Sequence, residues 1–320
     1  MRLAKTSGIA ARLLSVLITL FGISVFIFIV LRVIPGDTIT GSLGIETGVL
    51  TPEQIDDLKR YYGIDKPLIL QYFSWITSFL SGDLGFAYST GVSVLTLTAS
   101  SLPVTIELAL FGTISGVIMG IAIGMFSAKK PGSARDFFGQ LFGLLALAIP
   151  GFVLSTAIVT IMANKFGYFP NGYEYMTPWE DLWMNLQQML FPSIVLGIAV
   201  AAPVMRTTRS ALLETVDKDF IRTAFGKGLK NRTVQFRHVL RNSLIPIVTM
   251  TGIQFGYLLG GAVIVEKIFA LPGMGRQILD AINKREYATV QSSVMIFAIL
   301  FVTINLVTDL IYRRIDPRIK

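Results

Sequence analysis

The sequence predicts an all-α polytopic membrane protein with six transmembrane helices and both termini in the cytoplasm. Three observations carry that expectation. Of the 320 residues, 52% are hydrophobic and only 15% charged, with a mean hydropathy of +0.64. A soluble domain of this size is about 25% charged, so much of this apolar surface needs lipid as its solvent. Six apolar runs reach the roughly 20 residues that a spanning helix requires. Lys and Arg then concentrate on alternate connections, with 19 of the 28 on one side.

Taken in order, the first run is Leu13 to Leu31, uncharged throughout. It exceeds the usual apolar core of a signal peptide, and Arg32-Val33-Ile34-Pro35 is no small-residue cleavage site, so it reads as a retained helix. The second run, Leu102 to Phe126, is interrupted only by Glu107. It carries Gly112, Gly116, Gly120 and Gly124, a ladder that lets another helix backbone approach closely. The third, Phe137 to Asn164, contains Pro150-Gly151, and the fourth, Met184 to Met205, contains Pro203. Each proline removes a backbone donor and is expected to kink its helix. The fifth run, Asn242 to Val265, repeats a ladder at Gly252, Gly256 and Gly260. The sixth is Tyr287 to Thr308.

These runs divide the chain into four parts. Residues 1–35 hold the N-terminal region and first helix, and 36–100 form an outer, extracytoplasmic connection. Residues 101–312 form the transmembrane core, including a cytoplasmic loop at 206–242, and 313–320 form a cytoplasmic tail. The N-terminus, the second and fourth connections and the tail hold the 19 basic residues. The other connections hold 13 of the 20 acidic ones, so the net charge of +8 is a positive-inside pattern. It is not a nucleic-acid surface. In the outer connection, Thr51-Pro52-Glu53-Gln54 reads as a helix start with a capping box. Leu68, Tyr72, Phe73, Ile76, Phe79 and Leu80 recur at helical spacing, predicting an amphipathic helix at the outer face that Gly82-Asp83-Leu84-Gly85 ends.

Chemistry is sparse. The absence of cysteine excludes disulfides, thiolate metal sites and a cysteine nucleophile, and a single His238 gives too little for a transition-metal centre. No catalytic residues and no metal site are expected. Glu107 is the carboxylate inside a span and a candidate for the pathway. Its place just past Pro103 also suits a structural role at a helix N-terminus. The fourth connection is patterned. Asp217 to Leu229 reads as a short helix on which Phe220, Ala224 and Leu229 share one side and which Gly228 ends. Such a helix fits the groove of a partner protein; a basic loop resting on anionic lipid is the alternative.

Arg222-Thr223-Ala224 through Gly228, followed by Arg237-His238-Val239-Leu240-Arg241-Asn242 and Leu244-Ile245-Pro246, resembles the cytoplasmic coupling loop of ABC importer permeases. The general loop reads Glu-Ala-Ala, three residues, Gly, nine residues, Ile-x-Leu-Pro. Here Arg222 stands for the Glu, His238 for the Ile and Arg241 for the Pro, a form similar to the dipeptide, oligopeptide and nickel branch. Several further segments resemble that branch. They are Ile34-Pro35-Gly36-Asp37, Leu50-Thr51-Pro52-Glu53-Gln54, Gly82-Asp83-Leu84-Gly85, Leu102-Pro103-x-Thr105-x-Glu107-Leu108, Phe269 through Arg276, and Asp316-Pro317-Arg318.

The resemblance implies a type I importer permease fold and a plasma (inner) membrane location in a bacterium or archaeon. It implies a second homologous permease subunit, two cytoplasmic ABC ATPases that hydrolyse ATP, and an extracytoplasmic solute-binding protein. This chain would bind no cofactor and no nucleic acid. The expected ATPase contacts are Asp219, Arg222, Thr223, Ala224, Lys227 and Gly228, and the pathway or gate candidates are Glu107, Pro150, Gly256, Glu266 and Pro272. The chain itself lacks the phosphate-binding signature Gly-x4-Gly-Lys-Ser/Thr; the sole Gly-Lys pair, Gly226-Lys227, is followed by Gly228. The expected cargo is a dipeptide or oligopeptide, with nickel or another small solute as the alternative. A gradient-driven transporter, which would place ionisable groups at a midplane site, is the rival reading. A membrane enzyme or a passive channel finds still less support.

Overall fold

Apolar runs in lipid have to satisfy their own backbone polar groups, and helices do so within one segment. The computed structural model is accordingly helical. It describes residues 3–33, 51, 53, 65–87 and 89–315, with side chains for 14–33, 51, 53, 65–87, 89–258 and 260–307. The Ile34 to Asp37 and Asp316 to Arg318 segments, and Pro52 and Gln54 of the expected helix start, lie outside the described residues. The helices are α1 (Leu3–Val33), α2 (Leu68–Leu80), α3 (Val94–Ala128), α4 (Ala134–Ala148) and α5 (Gly151–Phe166). There follow α6 (Leu182–Val216), α7 (Asp219–Gly226), α8 (Arg241–Ile268), α9 (Met274–Asn283) and α10 (Tyr287–Ile315). Among the described residues, four helices are long and apolar enough to cross a membrane unbroken, and two bent pairs bring the number to as many as six.

The third expected span is one of those pairs. Between α4 and α5 the chain turns by 95° at Ile149-Pro150. Pro150 has no N–H to continue the helix and disfavours αR at the residue before it, and Ile149 sits at φ −86°, ψ 115°. The sequence suggested a kink; the structure has a full break. Pro203 lies with Pro192 inside α6, which continues as one helix past both.

The chain divides into two compact units. The first comprises Met1–Pro103 and Arg276–Val302. In it α2 packs on α1 through aromatic rings. Tyr72 and Trp75 pack against Phe28, and the Tyr72 and Ser24 hydroxyls meet at 2.8 Å. Leu68, Ile69, Phe73 and Leu80 are exposed, while Gln71, Ser74 and Ser78 recur at helical spacing on one polar side, so the helix is amphipathic with a wide apolar face. A small core of Ile27, Leu31, Ala281 and Val290 lies alongside, with Trp75 against it. A two-stranded ribbon (β1 Phe86–Ala87, β2 Val92–Ser93) is tied down where Ser89 N–H donates to Glu286 at 2.9 Å.

The second unit, Val104–Gly275 with Thr303–Lys320, is organised around α6. The α3 glycine ladder meets it in register. A Cβ on Gly116 would fall 2.5 Å from Val200 Cβ and 2.6 Å from Gly197 O, and one on Gly120 2.8 Å from Val204 Cβ. Backbone therefore lies against side chain at every fourth residue. The second ladder differs: Gly252 and Gly256 are buried, but Gly260 faces open space. The apolar core joins Val104 and Leu108 of α3 to Leu196, Val200 and Val204 of α6 and Ile247, Leu258 and Ala262 of α8.

Candidate functional site

The short α7 helix forms on a core of its own. Ile221 and Ala224, spaced i and i+3, point inward and pack with Leu212, Val234 and Val239. Ala224 retains 5% of its surface, so it anchors the helix rather than presenting it. Asp219, Arg222, Thr223, Lys227 and Gly228 are exposed. Thr223 donates to Asp219 O at 3.0 Å, and Asp219 pairs with Arg222 at 3.5 Å. That pair is too exposed to contribute much stability.

Gly228 closes the helix. Its φ of +75° is left-handed, its N–H bonds Phe225 O at 2.9 Å, and Leu229 N–H reaches back to Ala224 O at 3.4 Å. This is the Schellman arrangement, which favours glycine at that position. The shared side of Phe220, Ala224 and Leu229 is not formed. Ala224 faces in with Ile221, while Phe220 and Leu229 face out beside Phe225. Five of the six expected contact residues thus lie on one solvent-exposed surface, together with three apolar side chains the sequence reading had not placed there. That surface is fixed to α6 and α8. Val234–Leu240 winds as a π-helix directly into α8, and Ser243 hydroxyl lies 3.0 Å from Thr215 Oγ1 and 3.1 Å from Ala211 O. His238 sits in that π segment and its carbonyl accepts from Asn242 Nδ2 at 2.6 Å.

A further anchor, absent from the sequence expectations, lies at the start of α4. Asp136 is 2% exposed and takes Arg209 in a two-point grip, Nε to Oδ1 and Nη2 to Oδ2, both at 2.7 Å. Gly132 N–H adds a third bond at 2.9 Å.

Glu107 lies well inside α3, which begins at Val94, so it stands about three and a half turns from the helix N-terminus and gains nothing from the end of the dipole. Its Oε2 accepts from Tyr175 hydroxyl at 2.5 Å. Burial, and then the bond to Glu107, push the Tyr175 phenol above its ordinary range. Asn185 Nδ2 donates to Tyr175 Oη at 3.2 Å and to Met176 O at 3.0 Å. Gln188 holds the same 170–176 segment through Pro170 O, Glu174 O and Met176 N–H.

Glu266 is fully buried near the end of α8, where Thr105 hydroxyl donates to Oε1 at 2.7 Å and itself accepts Met274 N–H at 2.9 Å. The chain folds over this carboxylate at Gly273, where any Cβ would collide with it. Pro272 stands exposed next to that fold. Glu266 and Pro272 are thereby brought together on one segment. Gly256 is buried within α8, and Pro150 is exposed at the α4–α5 break.

Comparison with known proteins gives a consistent picture. Residues 120–320 match the family described as binding-protein-dependent transport system inner membrane component, and residues 7–109 match the N-terminal family of the same membrane components. The chain is 34% identical to the dipeptide transport system permease protein DppB of Alkalihalophilus pseudofirmus, over 97% of this chain and 98% of that one. It is 35% identical to the glutathione transport system permease protein GsiC of Pectobacterium atrosepticum, over 97% of each. Among solved structures, a chain of the MetNI methionine ABC transporter in an inward-facing form superposes with a TM-score of 0.54 at 16% identity. It covers 69% of this chain and 96% of that one. At that identity the likeness speaks for the fold.

Proposed function

The chain belongs to the family of binding-protein-dependent transport system inner membrane components, and from that premise we propose that it imports dipeptides or oligopeptides as one permease subunit of an ATP-driven transporter. The observation that carries the mechanism is the α7 surface. It is an exposed patch of Asp219, Phe220, Arg222, Thr223, Lys227 and Gly228, held from beneath by the Ile221–Ala224 core. A helix with its own footing can be gripped and displaced as a body.

In this reading two cytoplasmic ATPases close on ATP and move α7 and its equivalent in a second permease, switching the pathway to face outward. Hydrolysis resets it, and an extracytoplasmic binding protein delivers the cargo. This chain contributes the pathway and the lever but no ATP site, which agrees with the missing phosphate-binding signature in its sequence. In this reading α7 faces the cytoplasm from a bacterial inner membrane, an orientation supported by the basic residues on alternate connections. Relatives named for dipeptide and glutathione transport support peptide over nickel as cargo.

The test is co-purification followed by transport. A tagged chain in mild detergent is expected to bring down an ABC ATPase; failure to do so under conditions that preserve the complex removes the importer reading. Deleting the chain is expected to abolish uptake of radiolabelled dipeptide. Unchanged uptake removes the peptide assignment and leaves the permease role standing.

A further inference from the structure

The polar cluster around Tyr175 leaves two acceptors without a donor. Tyr175 has one hydroxyl proton, and it goes to Glu107 Oε2. Asn185 has two amide protons, which go to Tyr175 Oη and Met176 O. Those two acceptors fix the orientation of the carboxamide, because flipping it would abandon both. Gln188 is likewise complete, with Nε2 on Pro170 O and Glu174 O and Oε1 on Met176 N–H. Glu107 Oε1 and Asn185 Oδ1 remain, both shielded from solvent and both without a hydrogen-bond partner among the described residues. Asn185 itself is fully buried. Buried acceptors are rarely left unpaired, and here two belong to groups that share a single hydroxyl.

We propose that Glu107, Asn185 and Tyr175 form a receptor for a primary ammonium group, the amino terminus of a peptide in transit. The inference rests on the peptide-importer reading and adds the part of the peptide that this chain recognises. Both groups bond the same Tyr175 oxygen, so one species that completes the cluster would donate to the two free oxygens and compensate a carboxylate. An ammonium does both, with a third donor to spare. A guanidinium is a poorer fit, because its fork wants both carboxylate oxygens and Tyr175 occupies one of them. A divalent metal wants more oxygens, six or so in the case of calcium, and no group of three or more His, Cys, Asp or Glu residues stands together among the described residues. Recognition of the amino end alone also suits a transporter of varied peptides, since every unblocked peptide has one whatever its side chains.

The test uses the assembled transporter in nanodiscs without its binding protein. Hydrogen–deuterium exchange is followed over residues 170–188, where the Met176 amide reports on the cluster through its bond to Gln188. Saturating L-alanyl-L-alanine is expected to slow exchange there at least threefold, while N-acetyl-L-alanyl-L-alanine leaves it unchanged. Glu107→Gln, which keeps the shape and an acceptor for the Tyr175 hydroxyl but removes the charge, is expected to remove the protection. Equal protection by the free and acetylated peptides, or none by either, overturns the ammonium receptor and leaves an ordered water as the donor. Protection by ammonium chloride equal to that by the dipeptide overturns the peptide source. Uptake of labelled alanyl-alanine by the same complex with binding protein separates the two readings. Uptake without differential protection removes only the receptor, and absence of uptake removes the peptide importer on which it rests.

Discussion

Gly228 makes two demands on its replacement, and they can be separated. Its φ of +75° disfavours any side chain, at about 1–2 kcal/mol for most residues, yet a Cβ there would meet nothing within 4 Å. Gly228→Asn, which tolerates the left-handed region, is therefore expected to keep most peptide uptake. Gly228→Ala should lose part of it through strain, and Gly228→Glu nearly all of it by adding bulk at the gripped surface. If Gly228→Glu transports and binds ATPase normally, α7 is not the contact. A different residue, Ala270, holds φ +57° without being glycine, where Leu271 N–H closes on Glu266 O at 2.9 Å. Ala270→Gly is expected to raise stability by about 1 kcal/mol, read as a higher midpoint of thermal unfolding in mild detergent. Thr105→Val should lower it by about 1–3 kcal/mol, because the hydroxyl both donates to Glu266 and accepts Met274 N–H.

At the scale of elements, the α3 ladder sets its own experiment. Gly116→Ala puts a methyl 2.5 Å from Val200 Cβ and against Gly197 O, so the helices have to part, at about 1–3 kcal/mol. Gly260→Ala meets nothing within 4 Å and is expected to stay within about 0.5 kcal/mol. Equal effects would show that the ladder does not set helix separation. The Asp136–Arg209 bridge joins α4 to α6. Arg209→Met strands a buried carboxylate, at about 2–4 kcal/mol, less than for a fully dry pair because Arg209 is 24% exposed. Adding Asp136→Leu should recover much of the loss. The ladder was legible in the sequence because four glycines at period four can mean little else in an apolar run. The bridge was not, since its partners lie 73 residues apart and each resembles an ordinary surface charge.

For the molecule as a whole, what read correctly from sequence was whatever depends on length, composition and local spacing: the apolar spans, α2 and the end of α7 at Gly228. What did not read was whatever depends on which helix meets which. Pro150 announced an interruption, but a 95° turn rather than a kink is decided by what α4 and α5 each pack upon. Phe220, Ala224 and Leu229 had the spacing of one shared side, and the residue that joins Ala224 in the core, Ile221, became evident only with Leu212, Val234 and Val239 around it. The α7 residues proposed as ATPase contacts were suggested by resemblance; the Glu107–Tyr175–Asn185 cluster, assembled from two segments far apart in sequence, had no sequence signal.

The uninterrupted course of α6 has a mechanical consequence. At about 1.5 Å per residue its 35 residues make a rod of roughly 50 Å. Asn185 and Gln188, near one end, hold the Tyr175 segment, and Leu212, near the other, forms part of the footing of α7. A load applied beneath α7 thus enters the same solid piece that carries Asn185, with no relay of side chains between them. Pro192 and Pro203, each lacking one backbone bond, are its two points of flexure, and stiffening either by Pro→Ala would alter how much of a push at one end arrives at the other.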